Sequence, residues 1–437
     1  MKEHLTLKTI LLFFLPLLFM MEMVQLSHSM TNAFLARLSA PKEALAAFSI
    51  AFAFNITAHG VTFTSTQAGI CFITDRTSCI RLFRFFCLLM MVPFSIVELT
   101  SLTPVGDTVF GKWMGTSPEV VSQAKCASAI VGLWAFPIIF RNFCYAIVMK
   151  NRKTILITYA TAVRLVSLVV FLFLFSFWFD GAVVGALATV SGIMVEAVYM
   201  ILVARPFFAR LERGIARPAS YGEIWRFSWP LMTTQISENG VMFILNFFLG
   251  NLANPDLAIA AFGVVFSLVR LILSPVRNLI QTTQALVQKR EDLKAILQFT
   301  VGMIVFYICF NLLLFSTPLK AWVLGGLMGL GPELSSYCTP AVRIIFTVAV
   351  FWATSSLLRG ILAAMRKTGF IAVTAGIRLA AVAAIGYISF FYPNFNGAVL
   401  GVLALAGSFA AETLVLGWHF RGQAKLPGPL FPFIPGN

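Results

Sequence analysis

Charge is scarce in this sequence. Lys, Arg, Asp and Glu make up 11% of the 437 residues, against roughly 25% in soluble domains. No polar stretch is long enough to form a separate soluble domain. Carboxylates are scarcer than basic residues, 17 against 32, and the net charge is +15. The basic residues sit in short clusters between apolar runs, a pattern that excludes nucleic acid as the partner and suits a membrane surface. Histidine occurs four times in all. No His-Glu-x-x-His and no G-x-x-x-x-G-K-[ST] phosphate loop is present, which removes the zinc hydrolases and the ATP-driven pumps. The chain is read as a non-enzyme that needs no cofactor. The seven cysteines (Cys71, Cys79, Cys87, Cys126, Cys144, Cys309 and Cys338) show no paired metal spacing. Most lie in apolar segments, where a thiol is buried and inert.

Apolar residues fill the space that charge leaves. They make up 59% of the chain, with 44 Phe. A span needs about 20 apolar residues. Such runs predict helices near 8–36, 44–72, 80–100, 122–149, 154–178, 182–204, 222–250, 257–287, 295–322, 336–364, 369–391 and 397–419. They are too long, and alternate too little, for barrel strands. The run from Leu11 resembles a signal peptide, but Glu22 follows it with no small-x-small cleavage site, so it reads as the first span. Basic clusters at 76–84, 150–153, 205–217, 289–294, 366–367 and 421–425 fall on one side; Arg37, Lys42, Lys112, Lys125 and Lys320 fall on the other. The richer side is expected to be cytoplasmic, with both termini there.

The sequence repeats itself. Under a shift of 214 residues, Pro16-Leu17 meets Pro230-Leu231, Ala46-Ala47-Phe48 meets Ala260-Ala261-Phe262, and Arg152-Lys153-Thr154 meets Arg366-Lys367-Thr368. Asn32 meets Asn246, Pro41 meets Pro255, Gln67 meets Gln281 and Arg164 meets Arg378. After a two-residue slip, Glu196 meets Glu412. Six crossings return a chain to its starting side, so the halves share one orientation. The expected fold is an all-α membrane protein of about twelve transmembrane helices, in two six-helix lobes related by a pseudo-twofold axis along the membrane normal. The expected parts are an N-lobe at 1–205, a cytoplasmic linker at 206–221, a C-lobe at 222–420 and a cytoplasmic tail at 421–437. The chain is expected to act as a monomer in the plasma membrane, or the inner membrane of a bacterium.

The repeat also sorts the intramembrane charges. A charge kept in both halves serves lobe packing. Arg164 and Glu196, like Arg378 and Glu412, lie at matched depths of about 15 Å and are expected to pair within each lobe. A charge found in one half points to substrate or coupling. Ser267, Arg270, Ser274, Arg277 and Gln281 fall on one face of a continuous helix 8, and their helix 2 partners are Ala53, Ile56, Gly60, Phe63 and Gln67. This stripe is either buried against carbonyls or faces substrate. Arginine suits multi-oxygen anions because its planar fork donates two parallel hydrogen bonds. Glu22 and Glu238 are also one-sided, opposite Ile236 and Val24. Each either carries H⁺ or Na⁺, or pairs silently with an arginine. Asn55, His59 and Thr62 share a face of helix 2; Asn55 is a candidate substrate contact, and His59 either relays protons or is merely hydrogen-bonded. Arg141, Arg343 and Arg359 stand opposite Ser355, Ala129 and Tyr145, and either add positive potential to a cavity or snorkel.

Several stretches carry a family resemblance: Phe227-Ser228-Trp229-Pro230-Leu231, Ala135-Phe136-Pro137, Arg343-Ile344, Lys367-Thr368, and Gly397-Ala398-Val399-Leu400-Gly401-Val402 with Glu412. With the two-lobe plan, they resemble the multidrug and toxic compound extrusion (MATE) and lipid-flippase superfamily, most of all the progressive ankylosis protein family. The resemblance implies a central cleft lined by helices 1, 2, 7 and 8. It also implies a small anionic substrate, of the pyrophosphate, nucleotide or di- and tricarboxylate class, moved by secondary transport. An organic-cation antiporter and a flippase for lipid-linked headgroups are the alternatives.

Overall fold

A computed structural model describes residues 5–35, 37–38, 40–112, 117–212, 214, 218–328 and 330–424. The expected tail beyond 424 and residues 213 and 215–217 of the expected linker lie outside these. The fold is all-α. The helices are α1 Leu7–Leu35; α2 Pro41–Ala58, continued by Thr64–Phe72; α3 Arg76–Leu102; α4 Pro118–Gly132, continued by Ala135–Lys150; α5 Ile155–Phe175; and α6 Ala182–Ala209. They continue with α7 Tyr221–Leu249; α8 Pro255–Leu273, continued by Asn278–Leu286; α9 Asp292–Ser316; α10 Pro332–Arg343, continued by Ile345–Ala364; α11 Gly369–Gly386, continued by Ile388–Phe391; and α12 Gly397–Ala424. Among the described residues, 11 spans are long and apolar enough to cross a membrane. The remaining helix, α7, is 29 residues long but carries Gln235, Ser237 and Glu238 in its middle.

Local signals set the ends. Proline opens α2, α4, α8 and α10, where its missing N–H costs nothing. Asp75 caps α3, accepting from Ser78 N at 2.6 Å, while the Ser78 hydroxyl accepts from Asp75 N at 3.0 Å. Arg152 and Arg366 close α4 and α10 in the left-handed region, with φ of 56° and 57°.

Five spans expected to be continuous, α2, α4, α8, α10 and α11, are interrupted. Pro137 cannot donate to Leu133, whose carbonyl accepts from Phe136 instead, and α4 is interrupted there. A 3₁₀ turn at Ser274–Arg277 interrupts α8, where Pro275 has no N–H for the Leu271 carbonyl. The matching turn in α2, His59–Phe63, contains no proline. The interruption is thus common to both lobes, and Pro275 reinforces it in one. The shift to 3₁₀ geometry also corrects the expected one-face stripe on helix 8. Ser267 and Arg270 are exposed, whereas Ser274 is turned inward and only 5% exposed.

The chain divides into two compact units, Leu15–Ser228, and Trp229 onward with the opening turns of α1 up to Phe14. Both divisions fall inside a helix, and the two points are related by the same 214-residue shift. Phe14 meets Phe299 of α9 edge-on at 5.2 Å, and Phe227 meets Phe72 of α2 edge-on at 5.2 Å. Within each lobe one helix is central. α6 touches α2, α4 and α5, and α12 touches α8, α10 and α11. Small residues allow this close approach. A Cβ on Gly185 of α6 would stand 3.0 Å from the Phe48 ring, and one on Gly401 of α12 would stand 2.1 Å from the Phe262 ring. Phe48 and Phe262 are repeat partners, so the contact is made twice. Leu88, Leu99, Val166, Leu414 and Trp418 are exposed, as lipid-facing side chains are.

Candidate functional site

The two central helices each carry a fully buried carboxylate. In the N-lobe, Glu196 of α6 receives Arg141 Nη1 at 2.9 Å, Tyr145 Oη at 2.6 Å, Thr161 Oγ1 at 3.2 Å and Arg164 Nη1 at 3.5 Å. Arg141 and Tyr145 come from α4, and Thr161 and Arg164 from α5. The carboxylate accepts from every side, which is what a buried charge requires.

In the C-lobe, Glu412 of α12 receives Arg359 Nη2 at 2.5 Å, Ser355 Oγ at 2.6 Å and Thr374 Oγ1 at 3.0 Å. Arg378 Nε stands 3.8 Å away, beyond hydrogen-bond range, and the Arg378 guanidinium lies 4.3 Å from the Phe409 ring centroid. A second carboxylate extends this cluster. Glu238 of α7 faces Arg277 Nη2 at 3.1 Å, Arg359 Nη1 at 3.3 Å and Arg378 Nη1 at 3.6 Å. Arg277 also donates to Gln235 Oε1. Exposure grades along the cluster: the side chains of Glu412, Arg359, Glu238 and Arg277 are 0%, 2%, 17% and 33% accessible. Three guanidinium donors, Arg359 Nε, Arg378 Nε and Arg378 Nη1, are buried without a hydrogen-bond acceptor. Arg270 is exposed, with its guanidinium 5.6 Å from the Phe266 ring centroid and no ion pair among the described residues.

The structure thus brings Arg277, Glu238, Arg359, Arg378 and Glu412 together and leaves other candidates apart. Asn55 is fully buried and spends its amide on Ala51 O at 2.9 Å and on Ser128 O and Oγ at 3.1 and 3.0 Å. In this position its amide ties α2 to α4. His59 is fully buried in the 3₁₀ turn, with Nδ1 3.2 Å from Asn55 O and the ring edge-on to Trp134 at 6.3 Å. Thr62 donates to His59 O at 2.8 Å. Ser274 Oγ is buried with no partner, and Gln281 is half-buried. Glu22 is half-buried with no ion pair among the described residues. Arg343 is exposed where α10 breaks. Tyr145, Gln235, Thr161 and Thr374 were not among the sequence candidates. Tyr145 could have been found as the repeat partner of Arg359, since both place a donor at one position. Among the described residues, no three His, Cys, Asp or Glu side chains come together as metal ligands.

Solved structures share this fold. A MOP-superfamily transporter from Pyrococcus furiosus, described with a binding pocket of reverse polarity that suggests a different function, is 17% identical with a TM-score of 0.76, covering 96% of this chain and 97% of its own. A multidrug-resistance MATE transporter of the MOP superfamily, in an outward-facing conformation, is 17% identical with a TM-score of 0.74 over 96% of both chains. The eukaryotic MATE transporter AtDTX14 is 15% identical with a TM-score of 0.76 over 95% of both. No protein-family model and no curated protein matches the chain. The fold is MATE-like.

Proposed function

We propose that the chain is a secondary transporter that exports small organic or phosphorylated anions by alternating access. The observation that carries this reading is the surplus of arginine in the C-lobe cluster. Among the described residues, Arg277, Arg359 and Arg378 stand against Glu238 and Glu412; Arg277 lies at the accessible end, and the exposed Arg270 stands further along α8 within electrostatic reach of Arg277 and Glu238. Guanidinium at membrane depth is tolerated beside a carboxylate, a watery cavity or an anionic cargo. Its fork matches phosphate and carboxylate oxygens. The resemblance to the progressive ankylosis family narrows the cargo to pyrophosphate, nucleotides or di- and tricarboxylates. A solved structure of the same fold is described with a binding pocket of reverse polarity that suggests a different function, so the fold does not by itself dictate one kind of pocket. Transport runs on H⁺ or Na⁺ coupling, with Glu22, Glu238 and His59 as the coupling candidates. The protein acts as a monomer in the plasma membrane, or a bacterial inner membrane, with both termini cytoplasmic.

The test is flux in proteoliposomes loaded with citrate, pyrophosphate or an organic cation. Wild-type protein should move an anion. Arg270→Ala and Arg277→Ala should each lower that flux about tenfold or more, the equivalent of about 1.4 kcal/mol, and the lysine versions should rescue only partly. Movement of the organic cation alone would replace this reading with the multidrug antiporter. Movement of lipid-linked headgroups alone would replace it with the flippase.

A further inference from the structure

We infer that Glu238 is an internal stand-in for the cargo: its carboxylate occupies the arginine site when empty, and an anion binds as Glu238 takes up a proton and withdraws. This deepens the transport reading above and rests on it. Four observations support it. Glu238 faces three arginines at once, Arg277 from α8, Arg359 from α10 and Arg378 from α11. The lobe scaffold does not require a carboxylate there, because the repeat partner is Val24. Glu412 already satisfies the inner side of the cluster through Arg359, Ser355 and Thr374, so Glu238 answers the outer, accessible side. Its fit is incomplete: Arg378 Nη1 is 3.6 Å away and remains without a hydrogen-bond acceptor. Two of the three arginines, Arg359 and Arg378, share the single oxygen Oε1, and Oε2 faces Arg277. A sulfate, phosphate or tricarboxylate supplies more acceptors in the same place.

The charged groups around Glu238 are Arg277 and, further along α8, Arg270; Arg359 on α10; Arg378 on α11; and Glu412 on α12 behind Arg359 and Arg378. Gln235 on α7 itself is the neutral neighbour, bonded to Arg277. While Glu238 is ionised, the arginines hold it and an anion must compete. Once Glu238 is protonated, its hold on three guanidinium groups is lost and they are left for the anion. Anion binding and proton binding therefore favour each other, as linkage requires.

The test uses purified full-length protein and sulfate, a probe whose charge does not change between pH 6 and pH 8. Wild-type protein should bind sulfate more tightly as pH falls and take up about one proton per sulfate bound, read with an indicator dye in weak buffer. Glu238→Gln should bind sulfate about tenfold more tightly than wild type at pH 8, because no fraction of the site is self-occupied, and it should lose the pH dependence. Glu238→Asp keeps the charge but shortens the reach by one methylene. It should fall between the two and still respond to pH, which guards against a misfolded glutamine variant. Arg277→Ala is the control on the parent reading. If wild type binds sulfate and Arg277→Ala loses it, but no proton is taken up and Glu238→Gln binds no tighter, the stand-in role is wrong and the anion site survives. If wild type binds neither sulfate, citrate nor pyrophosphate, the anion reading itself is wrong.

Discussion

The two lobes bury the same carboxylate and neutralise it from different helical turns. In the N-lobe the first turn carries Arg141 and the next carries Tyr145; in the C-lobe the same positions carry Ser355 and Arg359. The order of arginine and hydroxyl is reversed, yet each glutamate receives one close guanidinium and one close hydroxyl. A second arginine, Arg164 or Arg378, completes each group from the following helix. The scaffold therefore demands a neutralised glutamate on its central helix and accepts either order of donors. What the C-lobe adds is a second layer, Glu238, Arg277 and the exposed Arg270, with no equivalent in the N-lobe. On the transport reading proposed above, the shared layer holds the scaffold and the added layer is where substrate and coupling residues are to be sought.

The largest expected effect breaks the shared layer. Glu196→Gln leaves Arg141 and Arg164 buried with no other ion-pair partner among the described residues, and should cost about 3–5 kcal/mol of stability. Glu412→Gln should cost less, because Glu238 still faces Arg359 and Arg378. Thermal unfolding in detergent reads both. Equal losses would mean that Glu238 does not share the charge of the inner layer.

Next in size is an exchange of register. Arg141→Ser removes the close guanidinium of the N-lobe, and Tyr145→Arg imports the C-lobe order one turn later. The double variant should recover part of what the single Arg141→Ser loses, with a coupling of about 0.5–3 kcal/mol. A double variant no more stable than Arg141→Ser would show that the two turns are not interchangeable.

The lobe plan was open to reading from sequence because apolar runs and an ungapped repeat survive in the residues themselves. Arg164, Glu196, Arg378 and Glu412 were found by the repeat, and the structure places them 3.5 and 3.8 Å apart in pairs. The repeat misdirected in one respect. It set Arg141 and Arg359 aside as asymmetric, although among the described residues these make the shortest ion pairs to Glu196 and Glu412, at 2.9 and 2.5 Å. An arginine that moves by one helical turn keeps its target in space but loses its partner in alignment. The stripe on helix 8 failed for a different reason. Helical spacing assumes one constant pitch, and the 3₁₀ turn at Ser274–Arg277 changes it. In α2 the same turn contains no proline to announce it. Asn55 and His59 shared a polar face in sequence, but that face turns into the packing of their own lobe.

The smallest expected effect concerns a strain that both lobes share. Arg152 and Arg366 end α4 and α10 with φ of 56° and 57°. In this region an L side chain costs roughly 1 kcal/mol relative to glycine. The turns themselves are well made: Lys153 N donates to Val148 O at 3.1 Å, and Lys367 N to Leu362 O at 2.9 Å. These bonds span five residues, as in a Schellman cap, and glycine is the usual residue there. Both arginines are exposed, so their side chains add little packing. At both positions arginine combines a charge with a backbone conformation that favours glycine. Comparing Arg152→Gly with Arg152→Ala separates these roles. Both variants remove the charge, and only glycine relieves the backbone. The glycine variant should unfold at higher temperature than the alanine variant by the equivalent of about 1 kcal/mol, and Arg366 should give the same difference. A difference at one position and none at the other would show that the lobes do not share this cap energetically, however closely their backbone angles agree.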